Sequence, residues 1–194
     1  MFSARFAAIT AATLLSGIAI AGISSTNPFQ GESPAVDQHK IVMQSVGSWE
    51  GTIAMNMPGM PESMVMPCTE TITAVGDLWT VSRFESDFMG TAFAGSATFG
   101  YDTDKKAFVS TWVDSMATSI TNMEGQYDEK TKSIISNYEA KDPMTGEMVD
   151  KRSICTWGTD GYVCKFYDVA EEKTLTMTIE MKRKKTVEAN AKAK

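Results

Sequence analysis

The sequence predicts an all-β protein, an antiparallel up-and-down barrel of about eight to ten strands behind one short helix. Three observations predict it. From Trp49 onward apolar residues recur at every second position, as in 49–57 (WEGTIAMNM) and 175–182 (LTMTIEMK), the period of a strand with one buried and one wet face. Short polar turns separate these runs: 101–106 (YDTDKK), 127–132 (YDEKTK), 142–146 (DPMTG), 158–161 (GTDG) and 168–173 (DVAEEK). No segment between them is long enough for the helix that a parallel crossover needs. A meander of this length removes its exposed edges most simply by closing on itself; a two-sheet sandwich is the alternative.

The elements follow in order. Arg5 precedes an apolar, Ala-rich run from Phe6 to Ile20 that ends at Ala19-Ile20-Ala21, the small-x-small pattern of a signal peptidase site. The run is interrupted by Thr10, Thr13, Ser16 and Gly17, so residues 1–21 read as a cleaved leader and not as a permanent span; an uncleaved N-terminal anchor is the alternative. The mature chain is then expected outside the cytoplasm, periplasmic or extracellular, with no membrane span. Residues 22–34, rich in Ser, Gly, Pro and Asn, read as a linker. Ser33-Pro34 has the form of a helix start, with Ser as cap and Pro at the first helical position. A helix over 35–44 would end before Gly47. The barrel then occupies 35–184, and 185–194 form a basic tail without apolar periodicity.

Charge narrows the function classes. Without residues 1–21 the chain carries 17 Lys and Arg against 24 Asp and Glu, a net of −7, and the tail region holds six of those cations. Residues 22–181 therefore have 11 positive and 23 negative charges, a net of −12. So acidic a body argues against nucleic-acid binding, which needs a basic face.

His39, Gly47-Ser48-Trp49-Glu50-Gly51 and Pro58-Gly59 resemble the opening of the bacterial family called domain of unknown function 1579. The middle is similar too: Met89-Gly90, Phe93, Gly95, Gly100-Tyr101-Asp102, Lys105-Lys106 and Trp112-Val113-Asp114-Ser115-Met116, then Glu124-Gly125, Glu139 and 142–146. The resemblance covers about residues 38–184 and implies a lipocalin-like barrel, with no established reaction. It also implies a role for Gly47-Ser48-Trp49, which is similar to the Gly-x-Trp opening the first strand of such barrels. There the Trp closes one end, often under an Arg of the last strand, a position Arg183 can take. A cation over an indole contributes about 0.5–2 kcal/mol.

An exported chain can hold disulfides, and there are three cysteines, Cys68, Cys155 and Cys164. A tight turn centred on Thr159-Asp160 sets residues whose numbers sum to 319 opposite each other. Cys155 then faces Cys164, Trp157 faces Tyr162, and Cys68 is left free. A turn centred on Asp160-Gly161 would shift that register.

Exclusions limit the chemistry. With one histidine, His39, no multi-His zinc site can form and Ser-His-Asp catalysis would hang on that residue; a surface or barrel-rim histidine is the simpler expectation. No phosphate-binding Gly loop is present. Met55, Met57, Met60, Met64 and Met66 fall within twelve residues beside Cys68, and soft thioethers suit Cu(I); the plainer alternative is barrel-facing strand residues and a greasy loop. Phe108, Trp112 and Asp114 share one strand face, as do Phe93, Gly95, Ala97 and Phe99. Asp114 turned inward would need a partner, and Arg83, on the strand face shared by Trp79 and Val81, is the candidate; a purely structural Arg–Asp tie, or an Asp at the barrel mouth in water, is the alternative.

These observations lead to a non-catalytic barrel, without cofactor, binding a small apolar or amphipathic molecule in its lumen. Arg83 and Asp114 would be the polar anchors, and Phe93, Gly95, Phe99, Phe108 and Trp112 the wall. The alternatives are a filled structural barrel with an acidic interaction surface, copper binding at the methionines, and, for an enzyme, a hydrolytic or isomerising site at Asp114 with Arg83.

Overall fold

The computed structural model describes residues 33–57, 59–142, 145–169 and 174–185. The expected leader, most of the linker and nearly all of the basic tail lie outside the described residues.

One helix, α1 (Asp37–Met43), precedes ten strands: β1 (Gly47–Met55), β2 (Met64–Val75), β3 (Trp79–Phe88), β4 (Thr91–Asp102), β5 (Ala107–Asp114), β6 (Thr121–Asp128), β7 (Ser133–Lys141), β8 (Met148–Trp157), β9 (Gly161–Asp168) and β10 (Thr174–Arg183). Each strand pairs antiparallel with the next, and β1 pairs with β10, from Trp49 opposite Arg183 to Met55 opposite Met177. The sheet is thus a closed barrel, as the alternating pattern and the polar turns predict, and not a sandwich.

α1 starts two residues later than expected. Ser33 does not cap it; its Oγ accepts a hydrogen bond from the Ala35 N–H (3.2 Å). Val36 is the N-cap residue, and His39 closes the first turn, its Nδ1 accepting from the Val36 N–H (2.9 Å). His39 is buried, with its ring edge-on to Tyr101 (5.9 Å). It is therefore part of the packing of this end and not an exposed rim residue. Val42 from α1 is wholly buried against Phe108 and Ile134, which ties the helix to the barrel.

The turns follow their side chains. Asp102 Oδ1 accepts from the backbone N–H groups of Asp104 and Lys105, and Asp128 Oδ1 accepts from that of Lys130. The backbone hydrogen bonds to Asp128 hold its carboxyl below the usual range. Each turn ends on a lysine in the left-handed region, Lys106 (φ 53°) and Lys132 (φ 54°).

Candidate functional site

Strand phase decides what faces the lumen. In β3 the even positions are inside: Thr80, Ser82 and Phe84 are buried while Val81, Arg83 and Glu85 are exposed. Arg83 therefore points outward, where its guanidinium pairs with Glu85 (2.9 Å). It cannot meet Asp114 in the lumen, which corrects the expectation above. Reading the phase from Trp79 and Val81 misled: Trp79 lies on the outer face, packed over Gly100, where a Cβ would come within 2.1 Å of its ring.

Asp114 is not a lumen anchor either. Its Oδ2 accepts from the Trp112 indole N–H (2.8 Å), and its Oδ1 accepts from the backbone N–H groups of Met116 and Ala117. It terminates β5 and fixes the Trp112 ring. The Arg83–Asp114 arrangement that an enzyme would have used is absent. Gly95 leaves no vacancy, because a Cβ there would fall 2.3 Å from the Trp112 ring. Phe93 and Phe108 lie apart. Phe93 stacks on Trp112 (6.4 Å) near the β3–β4 turn, whereas Phe108 is buried under α1. Of the wall residues expected, Phe99 and Trp112 do line the central cavity, with Ala97 beside them.

The cavity has a volume of about 180 Å³. Its wall is mostly apolar, including Phe84, Phe99, Trp112, Trp157, Phe166 and Ile179, with the hydroxyls of Thr80, Ser82, Ser110, Ser136 and Ser153 among them. Glu70 supplies its carboxyl group. The Tyr162 hydroxyl donates a short hydrogen bond to Glu70 Oε2. Burial pushes the Glu70 carboxyl up, opposed by Tyr162 and by the adjacent Ser82 hydroxyl. The Ser82 Oγ is itself buried with no well-directed partner among the described residues. Burial and the Glu70 charge also raise the Tyr162 hydroxyl and push the Cys68 thiol to about 12, so Cys68 is unreactive in the folded chain.

Tyr162 is held by rings. Trp157 lies 4.2 Å from it and Trp49 5.1 Å. Trp49 is fully buried, its Nε1 donating to the Ser45 carbonyl (2.9 Å). The Arg183 guanidinium lies 4.1 Å over the indole and donates to the carbonyls of Val46 (2.7 Å) and Gln44 (2.9 Å). Arg183 thus sits on Trp49 as the resemblance implies, with its donors engaged at the rim. Gly51 keeps its neighbours close: a Cβ there would fall 2.8 Å from Met181 Sδ and against the Glu180 carbonyl. The Cys68 thiol donates to that same sulfur (3.3 Å).

Cys155 and Cys164 stand opposite each other in the expected register, beside Trp157 and Tyr162. Their sulfurs are 2.07 Å apart, as in a disulfide, and both residues line the cavity. The methionine run is divided: Met66 is in the core, Met55 and Met64 pack against it, and Met60 is half-exposed. Among the described residues no group of three or more His, Cys, Asp or Glu side chains is placed to hold a metal.

Sequence reasoning missed Glu70 and Tyr162. The signal was present, since Met66, Cys68, Glu70 and Ile72 alternate on one apolar face of β2, which puts a carboxyl inside. Tyr162 was read only as a neighbour of the disulfide.

Fold and site together define a class, a ten-stranded up-and-down barrel with a small, mostly apolar cavity lined by a carboxyl–phenol pair, Glu70 partly and Tyr162 fully buried. No curated protein matches the chain. The chain belongs to the family described as Protein of unknown function (DUF1579), which it matches over residues 35–188.

Proposed function

We propose that this is an exported binding barrel that holds one small apolar or amphipathic molecule in its lumen without transforming it. The observation that carries the reading is the 180 Å³ cavity, apolar except for Glu70, Tyr162 and a few hydroxyls. Binding pockets have this character, a greasy wall with a few polar groups that orient the occupant. Its size limits the occupant. An apolar cavity of about 150 Å³ accommodates benzene, so a single ring or short branched chain fits within it. The leader-like residues 1–21 and the Cys155–Cys164 pairing support an oxidising compartment outside the cytoplasm.

The test is native mass spectrometry of the chain purified from its own host, with titration of Trp fluorescence by single-ring probes. Trp112 and Trp157 are on the cavity wall and report an occupant directly. A co-purifying mass, or quenching that Ala97→Phe abolishes while the circular dichroism stays unchanged, is the expected result. No adduct and no response from any probe would leave a filled structural barrel.

A further inference from the structure

We infer that the lumen of this barrel recognises a small organic ammonium ion, its charge on Glu70 and its hydrocarbon part against the aromatic wall. This deepens the binding reading above and rests on it. Three observations carry it. Glu70 is the one carboxyl on the cavity wall, and no Lys, Arg or His lines that wall among the described residues. The nearby Arg183 does not supply the missing charge, because its donors go to Val46 and Gln44 and it lies over Trp49. A carboxylate held partly buried in an apolar wall without a cation is costly, and an incoming ammonium group offsets that cost.

The hydrogen-bond inventory agrees. A carboxylate offers about four acceptor positions; the Tyr162 hydroxyl occupies one of them and the adjacent Ser82 hydroxyl lies beside another, which leaves two. The Ser82 hydroxyl sits beside Glu70, and its buried oxygen, which accepts no hydrogen bond among the described residues, can take an N–H as well. An ammonium group has only donors, so it complements both. A carboxylate ligand would instead meet Glu70 with like charge. Trp112, Trp157, Phe84 and Phe99 turn aromatic surface to the same space, and a cation near aromatic faces is attracted by the ring quadrupole.

The experiment compares three ligands with one skeleton, benzylamine, benzyl alcohol and benzoate. They are titrated calorimetrically into the full chain and into Glu70→Gln, at physiological and at high salt. We expect benzylamine to bind about tenfold or more tighter than benzyl alcohol, a difference of about 1.4 kcal/mol, and benzoate not to bind. High salt should change benzylamine affinity little, because a buried pair is poorly screened; strong salt sensitivity would mean attraction to the acidic exterior and would overturn the site. Glu70→Gln should remove the preference for the amine, so that amine and alcohol bind the variant alike within about threefold. As a check independent of calorimetry, benzylamine should raise the Tm of the parent chain and not of Glu70→Gln. Equal binding of amine and alcohol, or a preference that survives Glu70→Gln, overturns the ammonium assignment while the lumen reading stands. Failure of all three ligands overturns both.

Discussion

The two ends of this barrel are built differently. At the end where β1 begins, Trp49, Val42 and Ser45 are completely buried, Val42 on the inner face of α1 and Trp49 under Arg183. The hairpin turns there carry Asp102, Lys105, Asp128 and Lys130. At the other end, where β1 passes to β2 and β3 to β4, Met55, Met64, Phe88, Phe93 and Met177 are only partly buried. Met60, Met89, Met116, Ile120 and Met148 are more than half exposed there. One end is a plug held by directed hydrogen bonds and the other a rim of soft side chains. The same alternating strands supply both, and the difference comes from what the connections carry.

Trp49→Ala should break the first end with the largest effect, about 3–5 kcal/mol by chemical denaturation, since a wholly buried aromatic is lost. Phe93→Ala, from the other end, should cost roughly half as much; equal costs would erase the contrast. Arg183→Ala should cost about 1 kcal/mol and add almost nothing in the Trp49→Ala background. Additive effects would mean that the guanidinium acts through its carbonyl partners alone.

Gly95→Ala sharpens the picture of the second end. Its Cβ would meet the Trp112 ring at 2.3 Å, and that ring is held by Asp114 and Phe93. We expect a loss of about 1–3 kcal/mol, the range for overpacking, read from the urea midpoint. A neutral outcome would show that Trp112 can move and that this end yields.

The fold was legible in the sequence because it rests on period and turn chemistry, which are local. The site was less legible because it depends on phase. A strand shifted by one residue exchanges its faces, and at β3 the choice between Trp79 and Thr80 decided whether Arg83 lay inside. Gly95 misled for a related reason: a small residue reads as space, yet the space belongs to a ring on the neighbouring strand. The disulfide register was readable because a tight turn fixes it. The Glu70–Tyr162 contact joins residues 92 positions apart, and only the closure of β1 on β10 brings their strands together.

Between the ends, Glu70 gives the cavity a pH signature. Its folded-state carboxyl is raised by burial, so the native chain binds more protons than the unfolded one. That contribution is intact below the ordinary carboxyl range and is lost as pH rises through the raised value. Glu70→Gln should abolish this part of the slope and stabilise the empty protein near neutral pH, where the desolvation cost of the charge is present. Urea denaturation across acid to neutral pH measures both. An unchanged slope would place the carboxyl in contact with water.

The smallest effect is expected at the rim. Phe88 and Thr91 are joined by Met89-Gly90 alone, both with positive φ, 55° and 87°. That is the two-residue hairpin turn whose twist matches the strands and which favours Asn-Gly. Asp87 Oδ1 accepts from the Gly90 N–H, which anchors the turn without help from the Met89 side chain. Met89 is 83% exposed and occupies a left-handed conformation that an unbranched apolar residue adopts at a cost. Met89→Asn should therefore stabilise the chain by about 0.5–1 kcal/mol, measured as a rise in Tm with the fold unchanged. A loss of stability would mean that Met89 packs on its neighbours at the rim, making that end less soft than its exposure implies.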